Sequence, residues 1–194
     1  MLTLIKQTLK ESISVKENIL NDDSLIASIS HVAELCIAAF YRGNKVILAG
    51  NGGSAADAQH IAAEFVSRFQ FDRPGLPALA ITTDTSMLTA IGNDYGYERL
   101  FARQIEANAR AGDIFFGIST SGNSKNILSA LETCRTMNIT AIGLTGNTGC
   151  ISEYCDICLR IPSTSTPRIQ EAHITVGHII CGLVEAAMFQ PKHS

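Results

Sequence analysis

The sequence predicts an α/β fold: a five-stranded parallel sheet covered by helices on both faces, preceded by a pair of helices. Two observations carry this. Five short apolar runs alternate with segments of helical periodicity. The runs are continuous rather than alternating apolar and polar, as expected of strands buried on both faces of a parallel sheet.

Residues 2–20 place Leu2, Ile5, Leu9 and Ile13 at helical spacing. Asn21-Asp22-Asp23-Ser24 breaks that helix and caps the next. The second helix carries a stripe of Leu25, Ile26, Ile29, Val32, Ala33, Cys36, Ile37 and Phe40, and Arg42-Gly43-Asn44 stops it. These two helices can cover a sheet face or meet a second subunit; periodicity does not choose. Val46–Ala49 is the first strand and 54–69 the helix after it. Ala78–Thr82 is the second strand, beyond the Pro74/Pro77 loop. A short helix spans Thr85–Ile91, Asn93-Asp94-Tyr95-Gly96 reads as a turn, and 98–109 as a helix. Asp113–Ser119, Thr140–Thr145 and Ile157–Ile161 complete the strands, with a helix over Lys125–Met137. The turn Gly146-Asn147-Thr148-Gly149 and a short helix follow the fourth strand. Thr166 is the expected cap and Pro167 the first residue of a last helix reaching about Phe189.

Composition narrows the function. With 15 basic and 18 acidic residues the net charge is −3, without the basic stripe that nucleic-acid binding needs. No apolar run is long enough to suggest a membrane span. Lys6, Lys10 and Glu11 interrupt any signal-peptide core, so the cytoplasm is the expected compartment. The six cysteines are dispersed in a chain with ample apolar residues. Cys155-Asp156-Ile157-Cys158 has redox or zinc-knuckle spacing, but it stands alone at the entry to a strand, so packing cysteines are expected.

The chemistry gathers at strand ends. Gly50, Gly52 and Gly53 turn the chain between the first strand and its helix, with Ser54 as the expected N-cap and Asp57 as its capping-box partner. The free N–H groups of that first turn favour an anion. His60 and Glu64, four apart, share one face of the helix and suit acid/base work or metal ligation. Gly50-x-Gly52-x-x-Ala55 also fits a relaxed dinucleotide fingerprint. Its ribose acid would be Asp84, 34 positions beyond Gly50 where about 20 is usual. After the third strand, Ser119, Thr120, Ser121, Gly122, Asn123 and Ser124 form a second polar turn before a helix, with Ser124 as its N-cap. Hydroxyls and main-chain N–H groups there suffice for a phosphate without arginine. On the mostly apolar last helix, His178 reads by itself as a packed histidine, and His173 and Gln170 lie nearby.

Taken together, Ala49–His60 with Glu64, Ile91-Gly92-Asn93-Asp94, Ser119–Ser124 and Arg168-Ile169-Gln170-Glu171-Ala172-His173 closely resemble the phosphoheptose isomerases, which are sedoheptulose 7-phosphate isomerases of the sugar-isomerase (SIS) fold. The resemblance runs over essentially the whole chain. It implies one SIS domain over 1–194, a three-layer sandwich with the helix pair in 1–42 and the parallel core in 45–190. It also implies a cytoplasmic homotetramer with sites at subunit contacts. The implied reaction is an aldose–ketose isomerisation to D-glycero-D-manno-heptose 7-phosphate, the first step toward the activated heptose of lipopolysaccharide or other surface polysaccharide. Carried over by position, Asn51, Gly52, Gly53, Ser54 and Gln170 contact the phosphorylated seven-carbon sugar, and Asn93 and Asp94 hold its hydroxyls. Ser119, Thr120, Ser121 and Ser124 take the phosphate. His60, Glu64, Gln170 and His178 bind one Zn2+ per subunit, and Glu64 and His178 form the acid/base pair. Pro167 stands where some relatives have an acid.

The residue types suit that reaction. A carboxylate can move a proton between adjacent carbons when its pKa is near working pH, and zinc polarises a carbonyl. Gln is an uncommon zinc ligand. Gln170 and His178, eight residues apart, stand roughly 12 Å apart along a helix, so one ion reaches both only with side chains stretched together or with two subunits contributing. Two other readings stay open: a non-catalytic SIS protein bound to the replication initiator, and a phosphosugar-sensing SIS module.

Overall fold

A computed structural model describes residues 1–189. The chain runs α1 (Leu2–Leu20), α2 (Asp23–Tyr41), β1 (Val46–Gly50), α3 (Gly53–Val66), β2 (Ala78–Ala80), α4 (Thr85–Tyr95), α5 (Leu100–Asn108), β3 (Ile114–Ser119), α6 (Lys125–Thr136), β4 (Thr140–Thr145), β5 (Ile157–Arg160) and α7 (Thr166–Phe189), with 3-10 turns at Tyr97–Arg99 and Ile151–Glu153. All four strand pairings are parallel, in the order β2-β1-β3-β4-β5. The core expected to reach residue 190 ends one residue outside the described range.

Alternate residues of each strand feed two separate cores. Val46, Leu48, Phe116, Ile118, Ile142 and Leu144 pack with α2, α3 and α7. Ile47, Ala49, Phe115 and Ala141 pack with α5 and α6 on the other face. This is the three-layer arrangement the continuous apolar runs demand, since both strand faces must leave water. Gly117 and Gly143 pair across β3 and β4. A Cβ on Gly117 would stand 2.9 Å from Ile127 Cγ2, so α6 lies closer to the sheet than a side chain would allow.

At the N-terminal edge of the sheet, the buried carboxylate of Asp113 accepts from Lys45 Nζ at 2.7 Å, from the Lys45 and Arg110 amides, and from Asn44 Nδ2. Burial alone would raise its pKa, but these donors hold it below the usual carboxylate value. The device ties the starts of β1 and β3 together, so the sheet is pinned at the end away from the polar turns.

The helix pair divides its work. α2 buries Leu25, Ile29, Val32, Ala33, Cys36 and Phe40. α1 buries only Val15 and Ile19, and leaves Leu2, Leu4, Ile5, Leu9 and Ile13 each more than half exposed. Arg168 anchors α1 by donating to the Thr8 carbonyl at 2.7 Å. α2 and α7 each reach the length and apolarity of a bilayer span, which the sequence reading did not expect. Their apolar faces instead cover the sheet.

Several boundaries differ from expectation. β2 ends at Ala80 rather than Thr82. Asn93 and Asp94 belong to the last turn of α4, which Gly96 stops with φ +85°. α7 starts at Thr166 itself, with the Ser165 carbonyl accepting from Ile169 N, and Pro167 second in the helix. His173 on α7 is fully buried and neither ring nitrogen finishes a hydrogen bond among the described residues. Burial pushes its pKa down to about 4, against the opposing effect of the Thr145 backbone.

His173 gives a pH prediction. Unfolded chains bind its proton below about 6.5, and the folded chain does not until about pH 4. The contribution is therefore complete above pH 6.5 and lost as pH falls to 4, by about 3 kcal/mol at most. Urea unfolding across that window is expected to show the loss in the wild-type chain, and a shallower pH slope in His173→Leu.

Candidate active site

The strand order places the topological switch between β1 and β3, whose C-terminal ends carry the glycine turn and the serine turn side by side. Open α/β sheets bind ligands in this crevice.

In the glycine turn, Gly52 takes φ +55° and is itself the N-cap of α3, with no side-chain cap. Ser54 is therefore not the cap: it lies inside the first turn, buried, with its N–H on the Asn51 carbonyl at 3.0 Å. The capping box with Asp57 does not form. The left-handed φ that only Gly52 takes easily moves the cap two residues earlier, from Ser54 to Gly52. One Asp57 carboxylate oxygen is instead buried without a partner among the described residues. Burial raises its pKa and the neighbouring His60 opposes this. Gly50 is required because a Cβ would lie 2.4 Å from the Ser54 carbonyl oxygen.

The serine turn closes on itself. Ser119 Oγ donates to Ser124 Oγ at 2.9 Å, Ser121 Oγ accepts from the Asn123 N–H at 3.2 Å, and Gly122 turns with φ +67°. Ser124 occupies the N-cap position of α6 but its hydroxyl makes no capping bond, being turned to Ser119. The Thr120 carbonyl accepts from Gly146 N at 3.2 Å. Asn126, in the first turn of α6, exchanges two amide hydrogen bonds with Asn51 at 3.0 and 2.9 Å, and Tyr97 Oη donates to Asn51 Oδ1 at 2.8 Å. The two turns are thus stapled together through Asn51. Asn126 and Tyr97 escaped the sequence reading, since nothing local links positions so distant. Asn93 and Asp94 sit exposed on α4, hydrogen-bonded to each other at 2.8 Å.

α3 and α7 lie side by side and run the same way. A Cβ on Gly177 would stand 2.6 Å from Ile61, and one on Gly53 would stand 2.4 Å from Gln170 Nε2. This packing brings His60 Nε2 to 2.9 Å from His178 Nε2 and 3.1 Å from Glu64 Oε1. The ligand atoms of His60, Glu64 and His178 lie within 4.8 Å of one another. Two imidazoles and a carboxylate suit a tetrahedral divalent ion such as zinc, with a position left for substrate. Gln170 is not beside this group in one chain. It rests on Gly53, about 10 Å up α3 from His60 at the rise of a helix. His178 is half-buried rather than packed away, with the Phe69 ring 5.4 Å from its own.

Phe69 is held by a buried clamp the sequence reading missed. Glu185 accepts from the Phe69 and Gln70 amides at 2.9 and 2.7 Å and from Arg73 Nε at 3.0 Å. Arg73 also donates to the carbonyls of Glu64 and Phe65, closing the end of α3. Both side chains are about fully buried, at 2% and 1% exposure. Burial would raise the Glu185 pKa, but these donors keep it low.

A protein-family model described as the SIS domain matches residues 10–146. A phosphoheptose isomerase of Aneurinibacillus thermoaerophilus is 63% identical over 189 residues, 97% of this chain and 96% of that one. Among solved structures, a phosphoheptose isomerase from Neisseria gonorrhoeae superimposes with a TM-score of 0.89 at 40% identity, covering 95% of this chain and 98% of its own. One from Francisella tularensis gives 0.90 at 36% identity, covering 94% and 97%.

Arg73→Leu strands the Glu185 charge in the interior. Removing one member of a buried ion pair costs about 3–5 kcal/mol. Urea unfolding of that variant at neutral pH is expected to show a loss of this size.

Proposed function

The chain belongs to the phosphoheptose isomerases of the SIS family, and we propose that it converts D-sedoheptulose 7-phosphate to D-glycero-D-manno-heptose 7-phosphate through an enediol. The convergence of His60, Glu64 and His178 between α3 and α7, with α3 opening at the glycine turn, carries this reading. We take residues 1–194 as one SIS domain.

In this reading the sugar phosphate lies in the serine turn, on Ser119, Thr120, Ser121 and Ser124 and the N–H groups opening α6. A neutral cradle of this kind fixes position without an ion pair. Asn51, Gly52, Gly53, Ser54 and Gln170 line the sugar chain, with Asn93 and Asp94 on its far hydroxyls. The reacting carbons then fall by Glu64 and His178. Glu64 takes the proton from one carbon and returns it to the next, while His178 passes a proton between the two oxygens. His60, Glu64 and His178 would hold a zinc ion, which supplies polarisation of the carbonyl. We include Gln170 as a fourth ligand only through a second subunit, because its own chain places it on Gly53.

We further propose a cytoplasmic homotetramer acting at the first step toward the activated heptose of surface polysaccharide. The exposed stripe of Leu2, Ile5, Leu9 and Ile13 supports assembly, as an apolar patch of this kind marks an interface. The His60 side chain is half exposed in the single chain, and a partner covering it would exclude water from the enediol.

Turnover of sedoheptulose 7-phosphate by the purified chain, abolished by a chelator and restored by zinc, is the expected result; no turnover in any metal sinks the reading. Glu64→Gln keeps the shape and removes the base, and is expected to lower kcat at least about 100-fold with folding intact. Light scattering at micromolar concentration is expected to give the mass of four chains, and a monomer would refute the assembly.

A further inference from the structure

We propose that Cys155 and Cys158 are a redox-active dithiol, closed to a disulfide by exchange with a small-molecule disulfide, and that closing it disturbs the serine turn. The pair was set aside above as packing cysteines, and its placement argues otherwise. Cys158 on β5 is the register partner of Gly143 on β4. Partners in parallel strands turn their side chains to one face. A Cβ on Gly143 would stand 3.0 Å from Cys155 Sγ, so the Cys155 thiol fills the space over Gly143, beside Cys158. Both thiols are half-buried against the α5–α6 core, at the free edge of the sheet. The other cysteines at Cys36, Cys134 and Cys181 are buried, and Cys150 is half-buried.

The two thiols differ as an exchanging pair should. Contact with Cys158 is the first cause that raises the Cys155 pKa, and contact with Cys155, then the Arg160 charge, outweighs burial to lower that of Cys158. We therefore write Cys158, with the Arg160 charge beside it, as the attacking sulfur. Its sulfur attacks one sulfur of the oxidant RSSR, forming a Cys158–SR mixed disulfide and releasing RS−. Cys155 gives up its proton and attacks Cys158 Sγ, releasing the second RS−. Two electrons pass from the dithiol to the oxidant, and RSSR becomes two RSH.

The segment ahead of Cys155 backs the serine turn. Ile151 N donates to the Gly122 carbonyl at 3.1 Å and Cys150 N to Asn123 Oδ1 at 3.1 Å. Arg160, two residues beyond Cys158, donates to the carbonyls of Thr148 and Gly149. There is no slack, since a Cβ on Gly149 would stand 2.3 Å from the Ser121 carbonyl oxygen. A bridge at Cys155 acts on this segment, and through its hydrogen bonds on Gly122 and Asn123. That this weakens phosphosugar binding rests on the phosphate assignment above; the bridge itself does not.

The full chain would be incubated with glutathione disulfide, then analysed by intact mass and peptide mapping. The expected product lacks two hydrogens, maps to a Cys155–Cys158 bridge, reverts with dithiothreitol, and fails to form in Cys155→Ala or Cys158→Ala. The bridged protein is expected to have KM for sedoheptulose 7-phosphate raised roughly three- to tenfold, the scale of one neutral hydrogen bond. An unchanged mass, a stable glutathione adduct at Cys158, or a bridge through Cys150 overturns the dithiol. A bridged protein with unchanged KM overturns the coupling. Ser121→Ala in the reduced protein tests the phosphate assignment separately, through its own KM.

Discussion

The contact between α3 and α7 is the constraint on which the rest depends. His60 and Glu64 stand on one helix and His178 on the other, 118 positions away from His60. They meet because Gly177 admits the Ile61 side chain and Gly53 the Gln170 side chain, so each helix seats a side chain on the other's backbone. The Arg73–Glu185 clamp then fixes their far ends, with Arg73 on the last carbonyls of α3 and Glu185 on α7. A buried ion pair is not by itself a source of stability, because desolvation offsets its attraction. Here it pairs the Phe69 and Gln70 amides just beyond α3 and the last carbonyls of that helix. Its role is geometric: it sets Phe69 against His178 and holds the ligand helices in register.

The second organising feature is the switch point. β1 and β3 are neighbours although β2 lies between them in sequence, so the turns that follow them face one crevice. Neither turn carries an arginine. What each offers is oriented N–H and hydroxyl groups, and such groups bind an anion only if held in place. Asn51 and Asn126 hold them by exchanging both amide bonds. At the opposite end of the sheet the oriented N–H groups are already taken, because the Asp113 carboxylate accepts from the Lys45 and Arg110 amides and from Lys45 Nζ. Rigidity at one end and polar, open turns at the other follow from the same parallel sheet.

The sequence by itself determined the layers and the chemistry of the turns. Strands buried on both faces must be apolar throughout, so Val46–Ala49 and Thr140–Thr145 declare themselves. Gly50 and Gly52 mark a turn because their backbone needs exclude side chains. His60 and Glu64 are visible as a pair because helical spacing is local. The tertiary structure alone decided the rest. Ser54 looked like a cap, but the cap follows from φ at Gly52, which residue type does not state. Ser124 sits at a cap position yet bonds Ser119, since the turn brings that hydroxyl closer than the helix amides. Arg73, Glu185, Asn126 and Tyr97 carry no local signal; each acts on a partner brought near by strand order and helix packing. Cys155 and Cys158 read as packing until the space over Gly143, filled by the Cys155 thiol and flanked by its register partner Cys158, placed them together. Periodicity records which face of an element is apolar. It does not record which elements become neighbours, and long-range pairs exist only after that choice is made.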